Sequence, residues 1–245
     1  MNVEIERFDP TSAAPPWIRH EHLARFRFGT SFVKGRIAVD CACGTGEGTR
    51  MFAEMGASHV YAFDVSPDAV SATATRCQEL NVTAGLGDAK ALPLPEASAD
   101  VFISLETFEH LIDPESLLSE AHRILKHGGT FICSTPNRDV SSPGNSLNSK
   151  PWNRFHTREY NQTEFLSAVE SRFASCKLLG QNPVSLHRAK LMRRLGRLFS
   201  VMFSVRLNQV LKLPRFILGD PGRHAVQVWN PDFEYEYCVV VCTKG

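Results

Sequence analysis

The residues with the most evident chemistry lie in a short segment that runs from Glu106 to His110. Glu106, Glu109 and His110 are spaced by three and four residues, which would place them on one side of a helical turn. Two carboxylates and an imidazole placed in this way could act as a general base with its orienting acid, or could hold a divalent cation. A metal-bound alcohol loses its proton readily, so either arrangement suits a hydroxyl nucleophile. A purely structural role at the start of a helix also stays open.

A glycine-rich turn precedes this segment and predicts a ligand-binding loop. Residues 37–39 form a short apolar run of strand type, Gly44, Gly46 and Gly48 follow it, and helix-forming residues continue from Glu47. Glycines let a ligand approach the backbone closely and permit backbone angles that are closed to other residues. A strand, a tight turn and a helix N-terminus form the nucleotide-ligand site of doubly wound α/β folds.

The next predicted strand ends in an acid at a spacing typical of ribose recognition. Residues 60–64 form this strand, and its last residue, Asp64, follows Gly46 by 18 positions (64 − 46). In doubly wound folds a carboxylate about 20 residues after the glycine loop meets ribose hydroxyls. The dinucleotide pattern G-x-G-x-x-G is absent, because Thr49 stands where its third glycine would fall.

Together these patterns resemble the class I S-adenosylmethionine-dependent methyltransferases over roughly residues 17–180. The stretches that carry the resemblance are, in order, Asp40-x-Ala42-Cys43-Gly44-Thr45-Gly46, Phe63-Asp64-Val65-Ser66, Gly87-Asp88-Ala89, Asp100-Val101-Phe102-Ile103-Ser104, Glu106-x-x-Glu109-His110, Leu125-Lys126-His127-Gly128-Gly129 and Ser134-Thr135-Pro136-Asn137-Arg138. Ala42 departs from the family, which usually has glycine there. Alanine is the smallest substitute, and we expect the turn to survive it.

The resemblance implies S-adenosylmethionine as the cofactor and gives several residues a role. Asp64 is expected to accept both ribose hydroxyls, Asp88 to bond the adenine amino group, and Arg25, on a helix before the first strand, to pair with the cofactor carboxylate. The full predicted cofactor set is Arg25, Asp40, Ala42, Cys43, Gly44, Thr45, Gly46, Asp64, Val65, Gly87, Asp88, Ala89 and Leu105. Structural alternatives stay open: Asp40 could hold the loop, Asp64 could cap a helix, Asp88 could belong to a turn, and Arg25 could lie on a solvated helix face.

The predicted catalytic residues are Glu106, His110 and His156, and the predicted metal ligands, for Mg or Mn, are Glu106, Glu109, His110 and His156. His156 stands where a later histidine would complete the metal site of the small-RNA 3′-terminal ribose 2′-O-methyltransferases, which the Glu-x-x-Glu-His pattern resembles. The same pattern is also similar to bacterial small-molecule methyltransferases that use no metal, so both interpretations stay open.

The order of strand and helix patterns predicts an α/β fold with a doubly wound, seven-stranded Rossmann-like sheet. Strands are expected near 36–41, 59–64, 82–85, 100–105, 129–134, 175–181 and 233–242, the last one antiparallel as in the family. Helices are expected near 17–33, 47–56, 67–79, 114–126 and 162–171. We expect one domain over 1–245, divided into a helical cap (1–34), a cofactor-binding core (35–182), a basic helical insertion (183–228) and the final strand segment (229–245).

Composition limits the class of protein. The 245 residues, 43% of them hydrophobic, suffice for one good core, and a net charge of +1 gives no overall attraction to nucleic acid. Residues 1–16 contain no apolar run of the kind found in signal peptides or membrane spans. The seven cysteines are odd in number and fall mostly in predicted strands, which favours free buried thiols and a reducing cytoplasm.

Residues 187–215 contain eight basic residues and no acid, with apolar residues interleaved at helical spacing. Such a helix can make peripheral contact with an anionic membrane surface, or it can be a lid or a homodimer contact with its bases in water. Binding of a specific nucleic acid is not expected, because stacking aromatic residues are not interleaved with the bases. We therefore expect a cytoplasmic protein, with contact at the inner face of the membrane left open.

The segment Phe155-His156-x-x-Glu159-Tyr160 is similar to methyltransferases that act on sugars and cell-surface glycans. We therefore expect O-methylation of a sugar, glycan or other small-molecule acceptor, bordered by the long polar loop between Thr135 and Pro151. Three alternatives stay open: a quinone or phenol O-methyltransferase at the membrane surface, a metal-dependent RNA 3′-end ribose 2′-O-methyltransferase, and a cofactor-binding protein without turnover.

Overall fold

The structure is a computed structural model that describes residues 16–202 and 224–245, with side chains described over 18–197 and 224–245. Residues 1–15 of the predicted cap and residues 203–223 of the predicted insertion lie outside the described residues. The elements are α1 (Pro16–Thr30), β1 (Ile37–Cys41), α2 (Glu47–Glu54), β2 (His59–Asp64), α3 (Pro67–Arg76), β3 (Val82–Leu86), β4 (Ala99–Leu105), a 3-10 turn (Phe108–His110), α4 (Pro114–Ile124), β5 (Leu125–Pro136), α5 (Arg138–Ser141), α6 (Gln162–Glu170), β6 (Ser175–Ser185), α7 (Leu186–Met202), β7 (Gln227–Val228) and β8 (Phe233–Thr243).

The strands form one sheet in the order β3-β2-β1-β4-β5-β8-β6-β7. Neighbours among the first five strands are parallel, and β8 runs antiparallel to both β5 and β6. The predicted α/β architecture with an antiparallel last strand is therefore confirmed. The predicted count of seven strands is wrong for the described residues, because Gln227 and Val228 pair with the outer edge of β6 and add an eighth strand.

Local sequence explains where the helices begin. Helix α3 starts with Ser66 as its N-cap, whose Oγ accepts a hydrogen bond from Ala69 N–H, and with Pro67 in the first turn. Helix α6 starts with a capping box, in which Asn161 and Glu164 exchange side-chain to backbone hydrogen bonds. Apolar residues bury the two faces of the sheet in separate clusters, one of which includes Phe102 and Phe131. The sheet is thus fixed as a rigid frame for the loops at its carboxyl edge.

The chain turns sharply where β1 and β4 end. Ala42 has φ +62° and Glu106 has φ +54°, in the left-handed region that favours glycine, and Gly44 and Gly46 are also left-handed. The turn therefore accommodates alanine at position 42, as expected from the sequence. Because strands β1 to β5 are parallel, these turns meet at one edge of the sheet, which is where doubly wound folds bind ligands.

The cysteines only partly follow the prediction of free thiols. Cys41, Cys43, Cys77, Cys133 and Cys238 are free and buried. The structure pairs Cys176 with Cys242 in a disulfide, so the prediction is wrong for these two residues. The reason is their register: Cys176 on β6 lies directly opposite Cys242 on β8.

None of the helices in the described ranges is both long enough and apolar enough to cross a bilayer.

Candidate functional site

The glycine loop after β1 is held against the end of β2. Asp64 Oδ2 accepts a 3.0 Å hydrogen bond from Gly44 N–H, and its Oδ1 accepts one of 3.0 Å from Ser66 N–H. A Cβ added at Gly46 would lie 2.8 Å from Thr73, so the close approach of loop and α3 requires glycine there. A Cβ added at Gly44 would meet nothing within 4 Å. The outer face of the loop is therefore open to a ligand.

Asp64 and Asp40 differ in what they do for this loop. The helix-cap interpretation of Asp64 is wrong, because Ser66 caps α3. Asp40 is buried and its Oδ2 accepts a 2.5 Å hydrogen bond from Thr49 Oγ1 on α2, in agreement with a loop-holding role. Burial raises the pKa of Asp40 to about 6. Thr45, from the same predicted set, accepts a hydrogen bond through its backbone oxygen from Arg76 Nε.

A cavity of about 410 Å³ opens beside the ends of β2 and β3 and is lined by Val65, Leu86, Gly87, Asp88, Ala91 and Pro93. Val65 and Leu86 are large apolar residues that are more than half exposed here, so the cavity offers apolar walls. Asp88 supplies the carboxylate, while its Oδ1 also accepts from Lys90 N–H within a turn. The side chain of Ala89, which is predicted as a cofactor residue, is buried in the core next to this cavity residue.

Arg25 is buried near the carboxyl edge of the sheet. The alternative that it lies on a solvated helix face is therefore wrong. Its side chain is 1% exposed, and its guanidinium lies 4.2 Å above the ring centroid of Tyr237. Nη1 donates a 2.5 Å hydrogen bond to Gln181 Oε1, and Nε lies 3.7 Å from Glu106 Oε1. Burial alone would lower the pKa of Arg25, but the neighbouring acids, above all Glu106, raise it.

The residues at this edge fit S-adenosylmethionine. Within the described part of the chain, Nε and Nη2 of Arg25 are buried without a hydrogen-bond partner, which suits them to a carboxylate. The apolar cavity with Asp88 suits a flat base that carries an amino group, and Asp64 beside the open glycine loop suits ribose hydroxyls. Leu105, the last residue of β4, ends at the same edge.

Glu106 differs from the expectation that it shares a helical face with Glu109 and His110. Its left-handed backbone precedes the 3-10 turn, so helical spacing does not apply to it. Ser134 Oγ donates a 2.6 Å hydrogen bond to Glu106 Oε1, and the Glu106 N–H donates to Ser134. The carboxylate therefore faces Ser134 and Arg25 and is left out of the histidine cluster described next.

Three of the four predicted metal ligands come together. Glu109, His110 and His156 each offer a ligand atom within 4.8 Å of the others. The two imidazole rings lie 5.1 Å apart, nearly perpendicular. Residue 156 is far along the chain, but Thr157 N–H and Arg158 N–H both donate to the backbone oxygen of Glu109 and bring its loop to this turn. We call Glu109, His110 and His156 the histidine cluster.

The hydrogen bonds of the two imidazoles fix their tautomers when neutral. His110 Nδ1 lies 3.0 Å from the Phe155 carbonyl oxygen, which can only accept, so the proton is on Nδ1 and the lone pair on Nε2. His110 Nε2 in turn lies 3.9 Å from Glu109 Oε1. His156 Nδ1 lies 2.6 Å from Glu159 Oε1, and its Nε2 accepts from Asn153 Nδ2. Glu159 belongs to the pattern of residues 155–160 but is not among the predicted site residues, although its spacing of three from His156 indicates such a contact.

Glu109 is the most deeply buried member of the histidine cluster, at 1% exposure. Thr135 Oγ1 donates a 3.1 Å hydrogen bond to its Oε2. Burial raises the pKa of Glu109 to about 8, and the negative charge of Glu106 adds to the effect. A carboxyl group with this pKa exchanges protons near neutral pH, which is a property of acid–base sites.

Comparison with known proteins agrees with this geometry. Residues 39–133, which run from β1 to β5, match the family model of the methyltransferase domain. A probable S-adenosylmethionine-dependent methyltransferase from Mycobacterium tuberculosis is 33% identical over 166 residues, which are 67% of this chain and 58% of that protein. A similarly named protein from Mycolicibacterium smegmatis is 36% identical over 137 residues, 56% of this chain and 51% of that protein. The core of this chain is that of a class I S-adenosylmethionine-dependent methyltransferase.

The methyltransferase core also matches solved structures. An S-adenosylmethionine-dependent methyltransferase from Mesorhizobium loti superposes with a TM-score of 0.59 at 16% identity, over 91% of this chain and 98% of that one. A phosphoethanolamine N-methyltransferase from Haemonchus contortus gives a TM-score of 0.62 at 17% identity, over 97% of this chain and 55% of that one. At 16% and 17% identity, these two matches show similarity of fold only. The chain spans only a little over half the length of the two mycobacterial relatives.

Proposed function

We propose that the protein transfers the methyl group of S-adenosylmethionine to a hydroxyl of a sugar, glycan or other small-molecule acceptor. The observation that carries the proposal is the position of His110, whose Nδ1 is held by the Phe155 carbonyl and whose Nε2 lies 3.9 Å from Glu109. The imidazole follows β4 at the carboxyl edge, and its side chain is 29% exposed. It is therefore within reach of a small molecule.

Bound S-adenosylmethionine supplies an electrophilic methyl group. Asp64 would hold its ribose, Asp88 its adenine and Arg25 its carboxylate, as the geometry of the edge supports. These contacts orient the ligand, and orientation accounts for much of the rate of a displacement between two bound reactants.

The hydroxyl proton has a defined acceptor in this site. His110 Nε2 carries the lone pair and would take the proton from the acceptor oxygen, while the other ring proton stays on Nδ1, hydrogen-bonded to the Phe155 carbonyl oxygen. The resulting imidazolium would lie beside the carboxyl group of Glu109, which stabilises the positive charge when ionised. Glu159 positions His156 at the other side of the cluster.

The acceptor class has two candidates. The sugar or glycan assignment rests on the resemblance of residues 155–160 to methyltransferases of that kind. A quinone or phenol acceptor is supported by relatives: the ubiquinone/menaquinone biosynthesis C-methyltransferase UbiE of Caulobacter vibrioides is 34% identical over 119 residues, and the ubiquinone biosynthesis O-methyltransferase of Methylococcus capsulatus is 33% identical over 111. Both reactions benefit from a base that removes a hydroxyl proton, so the role of His110 is the same in each.

A divalent cation is a second candidate for activating the hydroxyl. In the histidine cluster both Nδ1 atoms are held by oxygen acceptors, a carbonyl for His110 and a carboxylate for His156, as is typical of metal-binding histidines. The amide of Asn153, which donates to His156 Nε2, would have to turn away. Calorimetric titration with Mn²⁺ or Mg²⁺ tests this candidate, because Glu109→Gln and His156→Asn should each abolish the heat.

The proposed function is tested with methyl-labelled S-adenosylmethionine and two acceptor panels, one of sugars and glycans and one of hydroxylated quinones, with products followed by mass spectrometry. We expect labelled product from one panel and a rate at least about a hundredfold lower in His110→Asn. The matched control is His59→Asn, because His59 bonds Asn81 and Thr83 at the opposite end of β2. Binding of S-adenosylhomocysteine with no product from either panel would instead favour the cofactor-binding protein without turnover.

A further inference from the structure

Helix α7 has a buried face that sets its orientation against the methyltransferase core. Ala189 is fully buried beside Val140 and Val184. Arg193 Nη1 lies 3.2 Å from Asp139 Oδ2 on α5 and 3.2 Å from Glu234 Oε1 on β8. Gly196 packs directly on the backbone of Pro143. These three α7 residues are spaced by four and three positions, so they lie on one side of the helix.

The opposite side of α7 combines leucines with basic residues. Leu191 is 50% exposed and Leu195 is 40% exposed, and their spacing of four aligns them. Lys190, Arg194 and Arg197 are exposed next to them. Among the described residues these three bases form no ion pair, whereas Arg193 on the buried side forms two. We call Lys190, Leu191, Arg194, Leu195 and Arg197 the outer face of α7.

We propose that the outer face of α7 docks on an anionic phospholipid surface. Charge complementarity favours this occupant, because residues 186–202 contain five Lys and Arg and no Asp or Glu. Lipid headgroups attract the bases, and the leucines between them can enter the boundary between headgroups and acyl chains. A protein partner would need a surface that is both acidic and apolar, whereas an anionic bilayer offers both properties everywhere along its plane.

The buried side of α7, opposite the docking surface, is linked to the candidate active site by a chain of contacts. Arg193 holds Asp139 on α5, and Ser141 at the end of the same short helix donates a 2.8 Å hydrogen bond to Glu159. Glu159 in turn holds His156 of the histidine cluster. A membrane on the outer face of α7 would therefore be separated from the loop that begins after β5 by helix α7 itself, whose Gly196 packs on Pro143 of that loop.

The test is sedimentation of the full chain with sucrose-loaded vesicles of phosphatidylglycerol and phosphatidylcholine, compared with vesicles of phosphatidylcholine alone. We expect binding to the anionic vesicles only, weakened by added salt. The variant Lys190→Gln/Arg194→Gln/Arg197→Gln should weaken binding about a hundredfold, given the contribution of each base near an anionic surface. The variant Leu191→Ser/Leu195→Ser should also weaken it, because insertion of apolar side chains is part of the proposal.

The matched control removes three positive charges elsewhere. Lys34, Arg36 and Lys177 are exposed and lie near the starts of β1 and β6, at the opposite edge of the sheet. The variant Lys34→Gln/Arg36→Gln/Lys177→Gln changes the net charge by the same amount and should bind vesicles like the unmodified chain. Thermal unfolding of every variant confirms that the comparison is between folded proteins.

Three results would overturn the proposal: no binding to anionic vesicles, equal loss in the control variant, or full binding by the double serine variant. A fourth result that would overturn it comes from light scattering, which measures the oligomeric state. A dimer that Leu191→Ser/Leu195→Ser converts to monomer would identify the outer face as an interface between two copies of the chain. Affinity for S-adenosylhomocysteine should be unchanged in all α7 variants, so the docking proposal and the proposed function fail or succeed separately.

Discussion

The Nδ1 atom of His156 lies 2.6 Å from the Oε1 atom of Glu159, and both side chains are buried. The second carboxylate oxygen of Glu159 accepts a hydrogen bond from Ser141 on α5. One buried carboxylate thus fixes the orientation of an imidazole in the histidine cluster and ties its loop to the helix on which α7 packs. Glu159 acts through His156 and is therefore a positioning residue.

Replacing Glu159 tests how much this connection stabilises the fold. In Glu159→Ala, His156 and Ser141 lose their buried partner, and we expect the free energy of unfolding to fall by about 2 to 3 kcal/mol. Glu115→Ala is the control, because Glu115 is half exposed and only 3.9 Å from Arg172, an arrangement that contributes less than about 1 kcal/mol. Urea unfolding of both variants measures the difference. Equal losses would show that the carboxylate of Glu159 has no special structural role.

Asp64 provides a test of the cofactor site. We expect Asp64→Ala to weaken binding of S-adenosylhomocysteine about a hundredfold in calorimetry, because two charge-assisted hydrogen bonds to the ribose would be lost. The loss of the Gly44 contact could add to this effect, so Asp64→Asn, which keeps an acceptor for Gly44 N–H, is measured beside it. Asp68→Ala, an exposed acid in the first turn of α3, should bind normally. Unchanged affinity in both Asp64 variants would contradict the assignment.

Much of the candidate cofactor site at the carboxyl edge of the sheet can be predicted from the sequence, because the residues that define each part of it are close together in the chain. The strand that ends at Asp64 has the bounds His59–Asp64, as predicted, since an apolar run and the following Ser66-Pro67 cap define it within a few residues. The glycine turn is equally local, because the left-handed angles at Gly44 and Gly46 favour glycine.

Features that depend on distant parts of the chain are not readable in the same way. Arg25 is buried because Gln181 and Tyr237, more than 150 positions away, close over it. The disulfide between Cys176 and Cys242 follows from a strand register that no local pattern specifies. Glu106 is a third case. Helical spacing predicts that it shares a face with Glu109 and His110, but its left-handed backbone turns the side chain away from them.

Substitution of Arg25 tests whether its buried guanidinium binds the carboxylate of the cofactor. We expect Arg25→Gln to weaken S-adenosylhomocysteine binding about tenfold or more, because the two N–H groups without partners would no longer meet the ligand carboxylate. Arg27→Gln is the control, since Arg27 is exposed on the same helix. If the Arg25 variant folds, as judged by circular dichroism, and binds like the unmodified chain, the carboxylate is held elsewhere.

The raised pKa of Glu109 predicts how stability changes with pH. In the folded protein burial raises the pKa of Glu109 to about 8, from a usual value of 4.5. Between these two pH values the folded state holds a proton that the unfolded state has released. The contribution of Glu109 to stability is therefore highest below about pH 4.5 and decreases as the pH rises to about 8.

Glu109→Gln removes this dependence and keeps an acceptor for Thr135. Relative to the unmodified chain the variant should gain stability with increasing pH, by roughly 3 to 5 kcal/mol between pH 5 and 9. Urea unfolding across that range measures the gain, and Glu115→Gln, on the surface, should give a difference that does not change with pH. Parallel curves for Glu109→Gln would contradict the prediction. Repeating the series with Mn²⁺ separates the two proposed chemistries, because a bound cation would keep Glu109 ionised in the folded state and abolish the gain.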